Sequence, residues 1–339
     1  MKNNKIIRCL LLLTLSIIAL ASCKQDVIFY DIAQEIEYQE PIVEGNVFSM
    51  VPCNGSLFVQ NNAIYTKAWA DKKDANGRWK KVTFQNFNES VIKLASDSSH
   101  LYALAKANLT DSTGKVYVVS VSSDGTGTMQ EVAANVIELY DNRVFGTNGS
   151  TTGRNAYFTD SNKAVKKLNG TNTAVTQTVS DVMGSSSSWI KTAASDGITD
   201  YFSSNDVFAV IRKNTTTYLY SNSNDDKKTI TYKASTSSSW SSGGTTEANI
   251  TVLTANGADQ LLVGTYTGYE TSAVGSDGKP ATGVTPTSNA ESAFGTRYVT
   301  GIWHYGDEGT LYAAVVDEAH SQYNKLWGYY ASRPSWNYE

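Results

Sequence analysis

Histidine, the side chain best suited to acid–base work near neutral pH and to binding metals, occurs three times in 339 residues, as His100, His304 and His320. No two of them stand at metal-ligand spacing. His304-Tyr305-Gly306-Asp307-Glu308 has the residue types of an acid–base or metal site, but it precedes an apolar strand as an ordinary turn would, and His100 occupies the equivalent turn of its own segment. Asn222-Ser223-Asn224-Asp225-Asp226 offers alternating oxygen ligands of the kind calcium takes. Lys227 stands where such a loop needs glycine, and Lys233 where it needs a bidentate glutamate.

No metal and no cofactor is therefore expected. Nucleophile elbow, phosphate loop, HExxH and dinucleotide fingerprint are all missing from the sequence. Paired carboxylates for glycoside hydrolysis would come from different repeats, so spacing does not single them out. Arg143, Arg154, Arg212, Arg297 and Arg333 could hold a substrate carboxylate, yet nothing distinguishes them from surface residues. No catalytic residue is assigned. The aromatic residues carry more promise: seven Trp and 20 Tyr can supply amphipathic platforms for sugars or proteins. Trp189, Trp240 and Trp303 are the candidate ligand-binding residues.

These residues must be positioned by a repeated unit, shown most cleanly by Lys93 to Ser120: an apolar strand, a polar turn, a second strand at Leu101–Leu104, a loop, and a third strand at Val116–Val119. Second-strand anchors recur at Leu57–Val59, Leu101–Leu104, Val144-Phe145, Val207–Val210, Leu261–Val263 and Leu311–Ala314, their starts 44, 43, 63, 54 and 50 residues apart. An Asn or Asp turn precedes each one. Third strands are expected at Ile64-Tyr65, Val116-Tyr117, Ala156–Phe158, Tyr218–Tyr220 and Leu326–Tyr329, with less regular fourth strands at Trp79–Val82, Met129–Val132, Val165–Leu168, Thr229–Tyr232 and Ser335–Tyr338. No stretch after the N-terminal segment sustains a helical period over three turns.

Four short antiparallel strands repeating about every 50 residues resemble the blade of a β-propeller. A blade cannot bury both faces alone, so blades stack radially. The expected fold is all-β, a propeller of six blades over residues 48–339, with room for a seventh in the 63-residue interval that contains the Ser-rich segment Gly184–Ser188. Leu261–Tyr269 (LLVGTYTGY) resembles the LxVGTxxGG pattern of several bacterial propeller families. Asp74–Trp79 and Ser122–Thr128 are similar to the Asp-box turn of sialidase-type propellers, though neither satisfies the full pattern. Ser235–Asn249 and Thr271–Ser292, poor in apolar residues, are expected to be long loops.

The N-terminus sets the address. Lys2, Lys5 and Arg8 precede a nearly continuous apolar run from Ile6 to Ala21, too short for a span of about 20 residues and proportioned as a signal peptide, residues 1–22. Leu20-Ala21-Ser22-Cys23 resembles the lipobox of bacterial lipoproteins. The resemblance implies cleavage before Cys23 and acylation of it, which would tether residues 23–47 and the domain beyond them to a membrane. Lys24-Gln25 in place of an inner-membrane retention aspartate favours the outer membrane. With Cys9 removed and Cys23 acylated, Cys53 has no disulfide partner.

Removing Lys2, Lys5 and Arg8 from 28 basic residues leaves 25 against 32 acidic, a net charge of −7. That balance argues against nucleic acid as a partner and against a basic membrane-binding face. Together these features lead us to expect a lipid-anchored envelope protein, held to the membrane at Cys23, that engages a protein or glycan through one propeller face. The alternatives are a structural factor resembling the propeller lipoproteins of outer-membrane protein insertion, and a glycoside hydrolase or lyase on the same scaffold.

Overall fold

The computed structural model describes residues 43–339 apart from 69–77, 98, 142–143, 146–154, 171, 177–178, 182–188, 194–198, 204, 224, 286–296, 305–309 and 322–323. The signal segment, the lipobox and Cys23 lie outside the described residues.

The described chain is all-β, and its strands follow one another as antiparallel meanders. The first contains β1 (Ser49–Cys53), β2 (Ser56–Gln60), β3 (Ile64–Ala68) and β4 (Lys80–Lys81). A two-residue β5 (Thr83–Phe84) leads into the second: β6 (Ser90–Ser96), β7 (Leu101–Lys106), β8 (Gly114–Val121) and β9 (Thr126–Asp141). β9 is 16 residues long and serves two meanders. As far as Val136 it pairs with β8; from Val136 to Asp141 it pairs with β11 (Ala156–Asp160). Asn135, at φ 57°, makes the bend just before the changeover, in the left-handed region that asparagine tolerates better than most residues.

From there β12 (Val165–Asn169) and β13 (Asn172–Thr176) complete the third meander, while β10 (Val144–Phe145) stands apart from it. A three-stranded fourth follows: β14 (Val179–Asp181), β15 (Trp189–Ala193) and β16 (Thr199–Ser203). The fifth has β17 (Ala209–Lys213), β18 (Thr216–Asn222), β19 (Thr229–Ala234) and β20 (Ser241–Thr245). β21 (Ile250–Asn256), β22 (Gln260–Thr265) and β23 (Gly268–Ala273) make the sixth, and β24 (Tyr298–His304), β25 (Leu311–Val316), β26 (Lys325–Tyr330) and β27 (Arg333–Tyr338) the seventh.

Because successive side chains on a strand point to opposite faces, the apolar runs bury both. On β7, Leu101 and Ala103 pack toward Val51 and Phe58 of the first meander, whereas Tyr102 and Leu104 pack toward Leu139 and Phe158 of the third. β22 divides the same way: Leu261 and Val263 meet the fifth meander, and Leu262 meets the seventh. Tyr157 stacks on Phe202 of the fourth at 4.7 Å and 12°, and Tyr201 on the other side of β16 meets Phe208, Val210 and Leu219. The series then returns to its start, with Trp303, Tyr312, Leu326 and Tyr330 of the seventh meander packed on Met50, Leu57, Val59 and Trp79. Among the described residues, each meander thus packs on the next and the last on the first.

The last interface is stitched by backbone as well. Val43 N–H donates to the Glu339 carbonyl (3.1 Å), Leu326 N–H to Val43 (3.3 Å) and Gly45 N–H to Asn324 (2.7 Å). At its centre Lys67 Nζ, with a side chain 0% exposed, lies 3.2 Å from Glu339 Oε2 and donates to the Tyr330 hydroxyl at 2.7 Å. It also sits over the rings of Trp79, Tyr312 and Tyr330 at 5.9, 5.6 and 4.9 Å, a cation–π arrangement.

Several expectations change, among them Val207–Val210, which enters β17, the first strand of the fifth meander, and not a second strand. Val144-Phe145 is not the second strand of its meander: β9 runs on to pair directly with β11, and β10 lies parallel to β17 instead. Parts of the two segments expected as loops are also built into the sheets. Ser241–Thr245 is β20, and residues 280–284 form a strap between it and β23, through Gly244 N–H to the Pro280 carbonyl (2.9 Å), Gly283 N–H to Thr245 (2.8 Å) and Ala281 N–H to Ala273 (2.8 Å). Gly243 and Gly244 permit this approach: a Cβ on either would come within 2.3 Å of Pro280 or Ala281. Composition suggested loops because glycine and serine here replace side-chain packing with backbone pairing.

The strap covers Glu270 on β23, which is 3% exposed. Its Oε1 accepts from Glu247 N–H at 2.8 Å, while Oε2 has no hydrogen-bond partner. Burial pushes its carboxyl above the usual range. A group raised in the folded state contributes stability below its ordinary pKa and loses it as pH rises through the folded value. Glu270→Gln should therefore be more stable than the parent at pH 7, by about 1–2 kcal/mol, with the gap closing toward pH 4. Thermal melts across that range check this; equal melting temperatures at pH 7 would refute it.

Candidate functional site

In a meander the first-to-second and third-to-fourth turns fall on one side, and the second-to-third turns and sheet-to-sheet connections on the other. Between the first two meanders, on the side of the first-to-second turns, lies a cleft of about 630 Å³. Its floor is apolar: Cys53, Phe58, Leu101 and Val118. Its walls are polar. Arg78 and Lys80, both exposed, come from the start of β4; Asn54, Ser99 and His100 from the β1–β2 and β6–β7 turns; Ser122 and Ser123 from the β8–β9 turn.

The turns are held by their own side chains. Asp97 Oδ1 accepts from the backbone N–H groups of Ser99 (2.9 Å) and His100 (2.6 Å), an Asx turn. Its other oxygen accepts from the Tyr102 hydroxyl (2.6 Å), which in turn accepts from Gly170 N–H (2.8 Å) in the third meander. Burial and the hydrogen bond to Asp97 hold that phenol well above its ordinary range. His100 Nδ1, 3.1 Å from Asp97 Oδ2, has a carboxylate as neighbour and donates to it. The imidazole is thereby aimed, with Gly170 against it, where a Cβ would lie 3.1 Å from Nε2. Asn54 Nδ2 ties the first meander's turn to the Ser99 carbonyl at 2.8 Å, bracing the two sides of the cleft.

The β8–β9 turn is the one that resembled an Asp-box. Asp124 Oδ1 accepts from Thr126 N–H (2.9 Å), the Thr126 hydroxyl (2.7 Å) and the Ser122 hydroxyl. The Ser122 hydroxyl, the strongest influence, and Thr126 lower the Asp124 carboxyl to about 2. Asp74–Gly77, the other such turn, lies outside the described residues.

The expected binding tryptophans are not brought together. Trp303 is 6% exposed and belongs to the core between the seventh and first meanders, where Gly301 allows its indole to lie flat: a Cβ there would be 2.2 Å from the ring. Trp240 is half-buried against Tyr201, Phe208 and Leu219, with Lys233 Nζ 5.4 Å from its ring centre. Trp189 begins β15 opposite Ser203; its side chain lies outside the described residues. His320 repeats the His100 arrangement on the other side of the molecule, its N–H and that of Ala319 donating to Asp317 Oδ1. Sequence reading saw the His100 turn but not the cleft, because Arg78, His100 and Ser122 meet only when two meanders pack. Among the described residues, no group of three or more His, Cys, Asp or Glu is placed to hold a metal.

No family model matches the chain, and no curated protein matches it. Solved structures similar in shape include the following two. The computationally designed Ika8 protein aligns with a TM-score of 0.44 at 9% identity, covering 86% of each chain. A chain from a structural and mechanistic analysis of two prolyl endopeptidases aligns with a TM-score of 0.48 at 10% identity, over 88% of this chain and 50% of that one.

Proposed function

We propose that the protein is a lipid-anchored β-propeller of the bacterial cell envelope, attached at Cys23 to the outer membrane, that binds a glycan carrying acidic groups in the cleft between its first two blades. The seven meanders, each packed on the next and the seventh on the first, support a seven-bladed ring. The blade beyond the six anchors is the short meander of β14–β16, in the long interval between the third and fourth.

The observation that carries the binding reading is the lining of the cleft. Two cations, a held imidazole, an amide and several hydroxyls converge over an apolar floor, a pattern suited to carboxylate and hydroxyl groups on a sugar face. Among the described residues, no Asp or Glu lines the cleft.

The test is calorimetric titration of the purified protein with acidic and neutral polysaccharides. Binding of the acidic polymer is expected, weakened about tenfold or more in Arg78→Ala/Lys80→Ala, since charge-assisted hydrogen bonds contribute roughly 1.5–3 kcal/mol each. Unchanged affinity in the double variant, or no binding by a correctly folded protein, would refute the reading.

A further inference from the structure

The cleft occupies one side of the ring, and the opposite side has a different character. Among the described residues five large hydrophobic side chains are exposed: Phe48 (56%), Leu109 (61%), Ile137 (40%), Tyr266 (40%) and Val284 (63%). The first four share one side. Phe48 leads into β1, Leu109 lies in the β7–β8 turn, Ile137 marks the passage of β9 between meanders, and Tyr266 lies in the β22–β23 turn. Tyr298, which opens β24, joins them with its ring 4.5 Å from that of Tyr266. Val284 lies on the strap at the outer rim. Among the described residues, the turns at the cleft carry no exposed large hydrophobic side chain.

The described chain begins on that same side. Val43–Gly45 pairs with the start of β26, which follows a second-to-third turn. Cys23 precedes Val43 by only 20 residues, which span at most about 70 Å. We infer that the side bearing Phe48, Leu109, Ile137 and Tyr266 rests on the lipid bilayer that holds the anchor, with the cleft facing away from it. The inference rests on acylation of Cys23.

Chemistry supports lipid as the occupant. Single aromatic and aliphatic side chains spaced around a polar face suit the headgroup boundary, where apolar atoms bury shallowly and backbone stays wet. A tether that keeps the face near the bilayer raises its effective concentration, so a weak contact suffices. Two cations here are tied to protein acceptors: Lys106 to the Asp111 carbonyl at 2.6 Å, and Arg297 to Asp317 at 3.1 Å. Lys163, Lys227 and Lys228 are exposed on turns of the same side and can meet headgroup phosphates, which zwitterionic lipids also carry. With a net charge of −7, attraction to anionic lipid is not the driving term.

The experiment is hydrogen–deuterium exchange on the full lipidated protein in phosphatidylcholine vesicles, compared with the same protein in detergent and with a Cys23→Ser form in buffer. Intact mass first establishes acylation; its absence would remove the anchor reading itself. Given acylation, slowed exchange at 46–49, 107–111, 135–138 and 266–268 only on vesicles is expected, with 54–56, 97–101 and 122–126 unchanged and little effect of salt. A Phe48→Ser/Leu109→Ser/Tyr266→Ser variant, still acylated, should lose most of that protection. Protection of the cleft turns instead, or none, overturns the orientation. Equal protection of the first set in the Cys23→Ser form overturns lipid as the occupant, pointing to the chain's own N-terminal segment or a second copy.

Discussion

Lys67→Ala should destabilise the protein by about 3–5 kcal/mol, the usual cost of removing one partner from a buried ion pair. The side chain is wholly enclosed between the first and seventh meanders, and three of its interactions are polar or cation–π contacts that water cannot replace. Its loss leaves the Glu339 carboxylate, 5% exposed, supported by the Trp79 indole N–H at 2.8 Å and the Tyr330 hydroxyl at 2.6 Å. Burial already pushes Glu339 above the usual carboxyl range, so an uncompensated charge there is costly. At about 2–4 °C per kcal/mol for domains of 150–250 residues, a fall in Tm of the order of 10 °C is expected. The double variant Lys67→Met/Glu339→Gln should recover much of this, because it removes both charges. A Lys67→Ala melting temperature within two degrees or so of the parent would show that this pair does not hold the first and last meanders together.

Gly264→Val should cost about 3 kcal/mol, at the upper end of what overpacking costs a well-filled core. Gly264 lies on β22 where the sixth meander meets the seventh. A Cβ there would stand 2.4 Å from Val252 Cγ1 and 2.8 Å from the Val299 carbonyl oxygen. Neither neighbour can yield easily: Val299 is backbone in the adjacent sheet, and Val252 is 3% exposed within the same cluster. Denaturant unfolding gives the check, with a lower midpoint and an unchanged slope expected. Full stability would mean that the glycine of the LLVGTYTGY segment is present for another reason than this close approach.

That segment shows how much of the fold was legible in the sequence. Leu261, Leu262 and Val263 announced a strand buried on both faces, and β22 is that strand, with side chains alternating between the fifth and seventh meanders. Asn54-Gly55 and Asn256-Gly257 announced tight turns, and both stand at positive φ or beside it, Asn54 at 44°, Gly55 at 74° and Gly257 at 68°. The third meander was read less well. Val144-Phe145 looks like the other anchors, but β9 had already crossed from one sheet to the next without a turn, an event that Asn135 permits and no local pattern announces. Trp303 was a candidate as an aromatic platform, but its position on β24 places it in the core.

Strand identity, turn chemistry, an all-β class and a lipoprotein-like N-terminus are properties of short windows, and the sequence by itself determined the expectation of each. Cyclic order, the Lys67–Glu339 closure, the 280–284 strap and the cleft that joins Arg78 to His100 were decided only in the tertiary structure. The physical reason is range. A period-two apolar pattern states that a strand has two buried faces, but not which sheet covers each. The pairing of Lys67 with a residue 272 positions away depends on every intervening meander having packed first.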